Sequence, residues 1–252
     1  NNAVHPVAAL NGSQKAVMLL NIEPDMDWAG SEAAKQALVQ AQTVIALTPF
    51  QSESLRELAD VMLPVTPSTE TSGSFVSMEG RLQSFHGVVK PYAQSRPMWK
   101  VLRVIGNELD LDGFDYTSSE EVLARACINS DSIVGKLNNQ VQNVASTGLQ
   151  AASGLVRVGG VGIYQTDSVV RRSAPLQATV HAAIPAASVH PKTLAALQLT
   201  DAAQVVVKSG AASVLVTVVA DETVAENVVS LPLHPQNKVL GAMNNAIELG
   251  RG

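Results

Sequence analysis

Three carboxylates stand close together near the start of the chain, at Glu23, Asp25 and Asp27, with Pro24 among them. Paired carboxylates can serve as a general acid and base or can hold a divalent metal. No histidine or further ligand accompanies them, and acidic residues are favoured at a helix N-terminus by the helix dipole. The sequence therefore predicts a solvated turn, fixed by the proline, that leads into a helix.

A glycine cluster at residues 159–162 is the candidate for a phosphate-binding loop. In the dinucleotide fingerprint the last glycine would stand where this chain has Gln165, and the motif must open a helix. Here the cluster opens a region of predicted strands. The cluster therefore does not predict a dinucleotide-binding loop of that type.

Arg171 and Arg172 form a basic pair. Their forked donors could grip a pyrophosphate or the carboxylates of a partner. Nothing else typical of a phosphate site surrounds them, so the favoured prediction is structural. In that interpretation the pair ties the C-terminal part of the chain to the N-terminal part through acids such as Glu70 or Glu79.

The remaining reactive residue types indicate no catalytic centre. Ser72 and Ser74 lie in no Gly-x-Ser-x-Gly elbow. Cys127 is the single cysteine, which excludes an internal disulfide, a cysteine-ligated iron–sulphur cluster and a cysteine-rich zinc site within this chain, and a buried hydrophobic role is favoured for it. The five histidines show no metal-ligand spacing: His5, His86, His181, His190 and His234. No catalytic residue and no metal site is predicted.

Composition limits the function classes further. The chain has 252 residues, 46% of them hydrophobic but only 4% aromatic, so its core must be built from Val, Leu, Ile and Ala. A net charge of −5 without basic clusters argues against nucleic-acid binding. No apolar run approaches the roughly 18–20 residues that a membrane span requires. The start at Asn1, without a signal-peptide pattern, leads us to expect a piece of a longer protein.

The elements that would position these residues differ between the two ends of the chain. Short apolar runs at residues 16–20, 44–47 and 61–65 alternate with helical patterns, the second of which begins with a candidate capping box at Ser54 and Glu57. This rhythm predicts an α/β doubly wound, Rossmann-like lobe over residues 1–134, in which the loops after the strands face a ligand crevice.

A hairpin and a helix complete the predicted lobe. Residues 70–85 predict a glycine-punctuated hairpin, with Gly73 and Gly80 at positions where the backbone can take a positive φ, and with Glu79 and Arg81 on either side of Gly80. A helix with an apolar stripe is predicted to begin after Pro97.

The C-terminal end has a different pattern. Residues 135–154 are rich in Asn, Gln, Ser and Ala with little periodicity, which is typical of a linker. Residues 155–252 then contain several short Val-rich runs separated by turn signals, which predict a closed or sandwich β domain.

The hairpin sequence resembles a known family. Residues 70–83 read Glu-Thr-Ser-Gly-Ser-Phe-Val-Ser-Met-Glu-Gly-Arg-Leu-Gln, which is similar to the molybdopterin oxidoreductase superfamily. The resemblance is greatest to the large iron–sulphur subunits of bacterial proton-pumping NADH:quinone oxidoreductase, respiratory complex I. It is specific over roughly residues 15–126 and looser beyond. The other segments that carry it are Val89–Pro91, Ser95–Arg103, Gly113–Tyr116, Ser118–Glu121, Asp167–Arg172 and Ala174–Gln177.

The resemblance implies a molybdopterin-dinucleotide-binding type of double-psi β-barrel for residues 155–252. It also implies a degenerate pterin site, because Ser77 stands where many relatives have Asn, and Ile163–Thr166 departs from the usual His or Thr pattern. Arg81, Arg171 and Arg172 are the candidates for its vestige. No cofactor is expected in this part of the subunit, and iron–sulphur clusters are expected in the N-terminal part that would precede it.

The function implied is that of a scaffold without catalytic residues in an NADH dehydrogenase complex. The expected partners are the other subunits of the hydrophilic arm of complex I, at the cytoplasmic face of the bacterial inner membrane, with no nucleic acid and no direct membrane insertion. Two alternatives stay open. The chain could be the C-terminal part of a working molybdopterin-dependent oxidoreductase such as a formate dehydrogenase, or it could be a non-catalytic interaction module.

Overall fold

A computed structural model of the chain describes residues 14–28, 31–126, 133, 135, 137, 154–241 and 243–251. Cys127 and most of the predicted linker at 135–154 lie outside the described residues. Within the described part, no helix is both long and apolar enough to cross a membrane.

The N-terminal lobe is built on a parallel sheet of three strands in sequential order: β1 (Ala16–Leu20), β2 (Thr43–Thr48) and β3 (Val61–Pro64). Helices α1 (Pro24–Asp27) and α2 (Ser31–Val39) connect β1 to β2, and α3 (Glu53–Leu58) connects β2 to β3. The N-cap of α3 is Ser52, whose hydroxyl accepts from the Leu55 amide, and not Ser54 as predicted. This leaves the Ser54 hydroxyl available for another partner.

The core of this lobe lies on one face of the sheet. Leu19, Val44 and Ala46 are buried there against Leu38 of α2 and Leu55 of α3. Helices α2 and α3 also contact each other. The side chains of β1 that point the other way, Met18 and Leu20, are 38% and 40% exposed.

The predicted doubly wound arrangement is therefore not confirmed. The described strands form an α/β layer pair in which the connecting helices α2 and α3 share one face. A doubly wound sheet would carry helices on both faces.

The hairpin and the later helices follow the sheet. Strands β4 (Gly73–Val76) and β5 (Leu82–Phe85) pair antiparallel, and α4 (Met98–Glu108) and α5 (Ser119–Arg125) come next. Gly80 takes a φ of 80° at the turn, as predicted. The prediction of a positive φ at Gly73 is wrong, and a different constraint applies there. The Phe85 ring covers Gly73 so closely that an added Cβ would lie 2.9 Å from it.

The C-terminal domain is a closed barrel, which confirms the predicted β-barrel. Its strands are β6 (Leu155–Val158), β7 (Ala187–Val189), β8 (Gln204–Ser209), β9 (Ala212–Ala220), β10 (Val228–Ser230) and β11 (Ala246–Arg251), and its helices are α6 (Ala174–Gln177) and α7 (Pro191–Ala196). The six strands are hydrogen-bonded in the order β10-β6-β11-β8-β9-β7. Valine and leucine side chains fill the interior, among them Val189, Val205 and Val229, each fully buried.

Candidate functional site

Two of the three carboxylates that follow β1 are buried, which corrects the predicted solvated turn. The predicted helix does form, with Pro24 in its first turn and with Asp27 accepting a 2.7 Å hydrogen bond from the Glu23 amide. Glu23 and Asp25, however, are only 5% and 6% exposed. Ionised carboxylates that are shielded to this extent need positively charged partners.

Two of those partners come from the barrel domain. Arg172 donates from Nη1 to Glu23 Oε1 at 2.8 Å, and Arg171 donates from Nη2 to Asp27 Oδ1 at 2.9 Å. Arg171 Nη2 also lies 4.0 Å from Glu23 Oε1. The Arg172 guanidinium lies over the ring of Phe50, 4.2 Å from its centroid, and Phe50 follows β2. The arginine pair therefore contacts the ends of two neighbouring strands of the other lobe.

The third carboxylate, Asp25, pairs with Lys238 of the barrel domain. The hydroxyl of Ser54 donates to its other oxygen at 2.6 Å. Burial alone raises the pKa of Asp25, but the hydrogen bonds from Lys238 and Ser54 outweigh that effect, so its pKa lies below the ordinary value. Asp25 is thus held in its charged form.

We call these six residues the interlobe ion-pair cluster: Glu23, Asp25, Asp27, Arg171, Arg172 and Lys238. Three negative charges of one lobe meet three positive charges of the other, so the cluster is formally neutral. All three acids come from one short helix and the residue before it. The arrangement fixes the position of the barrel against the ends of the parallel strands.

A buried arginine supports the barrel side of the cluster. Arg157 is fully buried on β6, and burial lowers its pKa. Its guanidinium donates to the carbonyl oxygens of Leu231 at 3.0 Å and Gly241 at 3.3 Å and to the Asn237 side-chain oxygen at 2.9 Å. These acceptors all belong to the segment that carries Lys238. Arg157 therefore positions Lys238 without touching it.

Two clefts open beside the Asp25–Lys238 pair. The larger, about 570 Å³, is also lined by Lys35 and Asn245. The smaller, about 260 Å³, includes Gly159 and Gly160 of the glycine cluster in its wall.

Gly159 is required for packing in that wall. A Cβ at Gly159 would lie 2.9 Å from the backbone of Pro232, and its φ is 154°. This glycine thus allows the close approach of a neighbouring chain segment.

The predicted partners of the arginine pair were wrong. Arg171 and Arg172 do tie the two lobes together, but through Glu23 and Asp27. Glu70 instead accepts a 2.9 Å hydrogen bond from the Tyr92 amide, and Glu79 lies in the turn of the hairpin.

Arg81 is not part of the cluster. It is exposed in the hairpin, where its main-chain amide and carbonyl bond to Ser77. The turn at Ile163–Gln165 is also satisfied within the chain, since the buried Gln165 donates to the Gln177 side chain at 2.9 Å.

Sequence reasoning missed Lys238, Ser54 and Arg157. Lys238 lies in an irregular segment without periodicity, so nothing marked it. Arg157 did carry a signal, because it occupies the same face of its strand as Leu155 and is thus at an inward position. An arginine at such a position indicates a buried cation with oxygen acceptors around it.

Comparison with known proteins matches the two lobes separately. Residues 1–108 match the family model described as Molybdopterin oxidoreductase. Residues 155–249 match the one described as Molydopterin dinucleotide binding domain.

Within the described residues, no group of three or more His, Cys, Asp or Glu side chains is arranged to hold a metal ion.

Two curated relatives illustrate the similarity. One is a protein named "Putative formate dehydrogenase" of Staphylococcus aureus (strain bovine RF122 / ET3-1), 38% identical over 65 residues, which are 26% of this chain and 6% of the relative. The other is the NADPH-Fe(3+) oxidoreductase subunit alpha of Geobacter sulfurreducens (strain DL-1 / KN400), 31% identical over 98 residues, which are 39% of this chain and 12% of that protein. The matches span small parts of these relatives, so the relatives' activities do not transfer with the similarity.

Among solved structures, acetylene hydratase from Pelobacter acetylenicus superposes with a TM-score of 0.62 over 96% of this chain and 42% of the hydratase. The sequence identity is 16%, so this likeness concerns the fold alone.

Proposed function

Because the chain carries two domains of the molybdopterin oxidoreductase family, we propose that it is the C-terminal part of the large iron–sulphur subunit of bacterial NADH:quinone oxidoreductase, complex I. In this proposal it is a scaffold of the hydrophilic arm, and its ancestral pterin site is closed. Iron–sulphur clusters elsewhere in the subunit would supply the electron transfer.

The interlobe ion-pair cluster is the observation that carries the proposal. A pterin dinucleotide is anionic and must be held by many hydrogen-bond donors and positive charges. Arg171, Arg172 and Lys238 face the junction of the two lobes, but all three already pair with carboxylates, of which Glu23 and Asp25 are buried. Arg171 does keep two buried donors, Nε and Nη1, that have no hydrogen-bond partner among the described residues, but its positive charge is already compensated. An anion buried against cations whose charges are already compensated pays a desolvation penalty of several kcal/mol. The residues present therefore do not fit the dinucleotide.

Lys35 does not change this conclusion. It lines the larger cleft, and it makes no ion pair with another described residue. One lysine supplies a single charge, whereas a dinucleotide carries two phosphates. We therefore derive no reaction step through a pterin.

The same contacts support a scaffold role. A neutral, partly buried cluster joins the α/β lobe to the barrel at three points, and Arg157 fixes the segment behind one of them. Such a junction keeps the two lobes in one relative position. A subunit with this property can hold neighbouring subunits in register without taking part in chemistry.

The proposed partners are the other subunits of the hydrophilic arm, at the cytoplasmic face of the inner membrane. The resemblance in residues 70–83 and in the segments that continue it supports this choice. To test it, a tagged form of the full-length protein that contains this chain is expressed in its native host and purified under mild conditions. We expect the hydrophilic-arm subunits of complex I to co-purify in equal amounts. Their absence, with the tagged protein folded and abundant, would contradict the proposal.

A second candidate is a working molybdopterin oxidoreductase. The 38% identity with the formate dehydrogenase-like relative over 65 residues favours it. In that case the purified protein would contain molybdenum or tungsten in stoichiometric amount and would oxidise formate or a similar small substrate. A plain interaction module, the third candidate, would contain neither the metal nor complex I partners.

A further inference from the structure

A further cleft, remote in sequence from the interlobe cluster acids, lies along α4. It has a volume of about 600 Å³. Its floor is apolar and its rim is basic; the residues that line it are Leu63, Arg96, Trp99, Lys100, Val101, Arg103, Val104, Ile105 and Thr117. We call this the α4 cleft. No carboxylate is among its lining residues.

The three cations of the α4 cleft form no ion pair with another described residue. Arg96 donates from Nη1 to the carbonyl of the preceding residue at 2.8 Å. The Lys100 ammonium lies 5.2 Å from the centre of the Trp99 ring. Arg103 donates from Nη1 to the Tyr116 carbonyl at 3.0 Å. These contacts leave three positive charges without a negative counterpart in the described part of the chain.

Arg103 also has an unsatisfied donor. Its Nε is buried and has no hydrogen-bond partner among the residues that the structure describes. Buried polar atoms of native proteins are nearly always paired, so an unpaired one requires an explanation. An anionic ligand in the cleft would supply the missing negative charge, and a small shift of the Arg103 side chain would bring this donor to a ligand oxygen.

The lining residues are held by regular structure. Lys100 and Arg103 are three residues apart on α4 and are therefore neighbours on its surface. Arg96 forms a parallel bridge with Val65, so its backbone continues the sheet beyond β3. Leu63 of β3 and Val104 of α4, which is 47% exposed, belong to the apolar floor. The cleft is a shaped surface on two rigid elements.

We propose that the α4 cleft binds a small amphipathic anion, that is, a carboxylate or phosphate monoester carried on an apolar body. The rim cations would take the anionic head, and the floor would take the apolar part. The volume is within the range of about 300–1,000 Å³ that is usual for small-molecule sites. This site does not depend on the interlobe cluster and would stand whether or not the pterin site is closed.

Isothermal titration calorimetry on the purified chain tests the proposal with a set of simple probes. Octanoate and octyl phosphate combine both features, whereas acetate has the charge alone and octanol the apolar body alone. We expect octanoate or octyl phosphate to bind at least 10-fold more tightly than acetate and octanol, and the tighter of the two identifies the head group. Equal binding of octanoate and octanol, or no heat from either anion up to millimolar concentration, would overturn the proposal.

Variants then locate the site. Arg96→Gln with Lys100→Gln removes two exposed cations, so the fold should be kept while anion affinity falls at least 10-fold and octanol binding stays unchanged. Lys208→Gln, which removes an exposed cation on β8, is the matched control and should leave the affinity as it was. Anion affinity retained in the double variant, or lost equally in the control, would show that the anion binds elsewhere. Circular dichroism verifies that each variant is folded.

Discussion

Two groups of three cations in this chain have opposite environments. Arg171, Arg172 and Lys238 each meet a carboxylate of the other lobe, 144 to 213 residues away in sequence. The three cations of the α4 cleft meet none within the described residues. A basic residue in a cleft is therefore evidence for a ligand only when no carboxylate of the chain already pairs with it.

Burial separates the two groups as well. The side chains of Arg171 and Glu23 are each 7% exposed, so their charges are largely removed from water. Breaking such a pair by removing one member leaves an uncompensated buried charge, which costs about 3–5 kcal/mol. Arg96 and Lys100 are exposed, and exposed charges contribute little to stability. The first group should therefore matter for folding and the second should not.

The largest loss of stability is expected from Arg157→Met, because Arg157 holds the segment that carries the paired cation Lys238. The substitution leaves the Leu231 and Gly241 carbonyls and the Asn237 side chain without their buried donor, at about 1–3 kcal/mol for each unsatisfied group. We expect the free energy of unfolding, measured with urea, to fall by about 3 kcal/mol or more. Arg251→Met, which removes an exposed arginine bonded to the Gln198 carbonyl, is the control and should cost below about 0.5 kcal/mol. Similar losses in both variants would contradict the role of Arg157 in holding the segment that carries Lys238.

The next effect comes from the cluster itself. Glu23→Gln keeps the side-chain shape but removes the charge that faces Arg172, and we expect a loss of about 2 kcal/mol or more in the free energy of unfolding. The loss should lie below the usual range for buried pairs because the Arg172 side chain is 33% exposed.

The control for this variant is Glu226→Gln. Glu226 pairs with Lys192 at 2.7 Å, but the two side chains are 53% and 74% exposed. Such a surface pair contributes little to stability, because solvent screens both charges. If the two variants unfold at the same urea concentration, the distinction between the buried and the exposed pair fails.

A smaller effect, on the pH dependence of stability, is expected from Asp25. Its pKa is below the ordinary value of 3.8 in the folded state, so the unfolded chain binds the proton more readily. The stabilisation by this carboxylate is therefore complete above the ordinary pKa and is lost as pH falls through the folded-state pKa. The Asp25→Asn variant has no carboxyl group to titrate at this position, and the Lys238→Met variant lacks the cation that pairs with Asp25. Unfolding in urea at a series of pH values below about 5 should show a shallower loss of stability in both variants than in the wild type. A slope unchanged in Asp25→Asn would contradict the pairing with Lys238.

The smallest effect should be that of Arg96→Gln with Lys100→Gln on stability. Because neither cation pairs with a described carboxylate, we expect the free energy of unfolding to change by no more than about 0.5 kcal/mol in either direction. A loss above about 1 kcal/mol in urea unfolding would show that the chain itself uses these cations, and the contrast between the two groups would disappear.

Local patterns were sufficient to predict most of the architecture. The three apolar runs became β1, β2 and β3, the helix after Pro97 became α4, and the Val-rich runs closed into a barrel. Each of these depends on periodicity over a few residues. The doubly wound arrangement depends on which face each helix covers, which periodicity does not specify.

The candidate site was harder to predict because its contacts are long-range. The burial of Glu23 and Asp25 follows from cations that lie far along the chain, and no spacing rule connects them. The sequence predicted that Arg171 and Arg172 tie the two lobes together. It did not predict that Glu23 and Asp27 are their acidic partners. The assignment of Arg81, Arg171 and Arg172 to a vestigial pterin site stays a prediction.

The protein's own carboxylates pair with the cations at the junction of the two lobes and leave too few free positive charges to hold a pterin dinucleotide. Elemental analysis of the complete subunit, purified within its native assembly, tests this statement when combined with the fluorescence of a denatured, oxidised extract. We expect molybdenum and tungsten far below one atom per chain and no pterin fluorescence. One molybdenum or tungsten per chain together with pterin fluorescence would contradict it and would favour the working oxidoreductase.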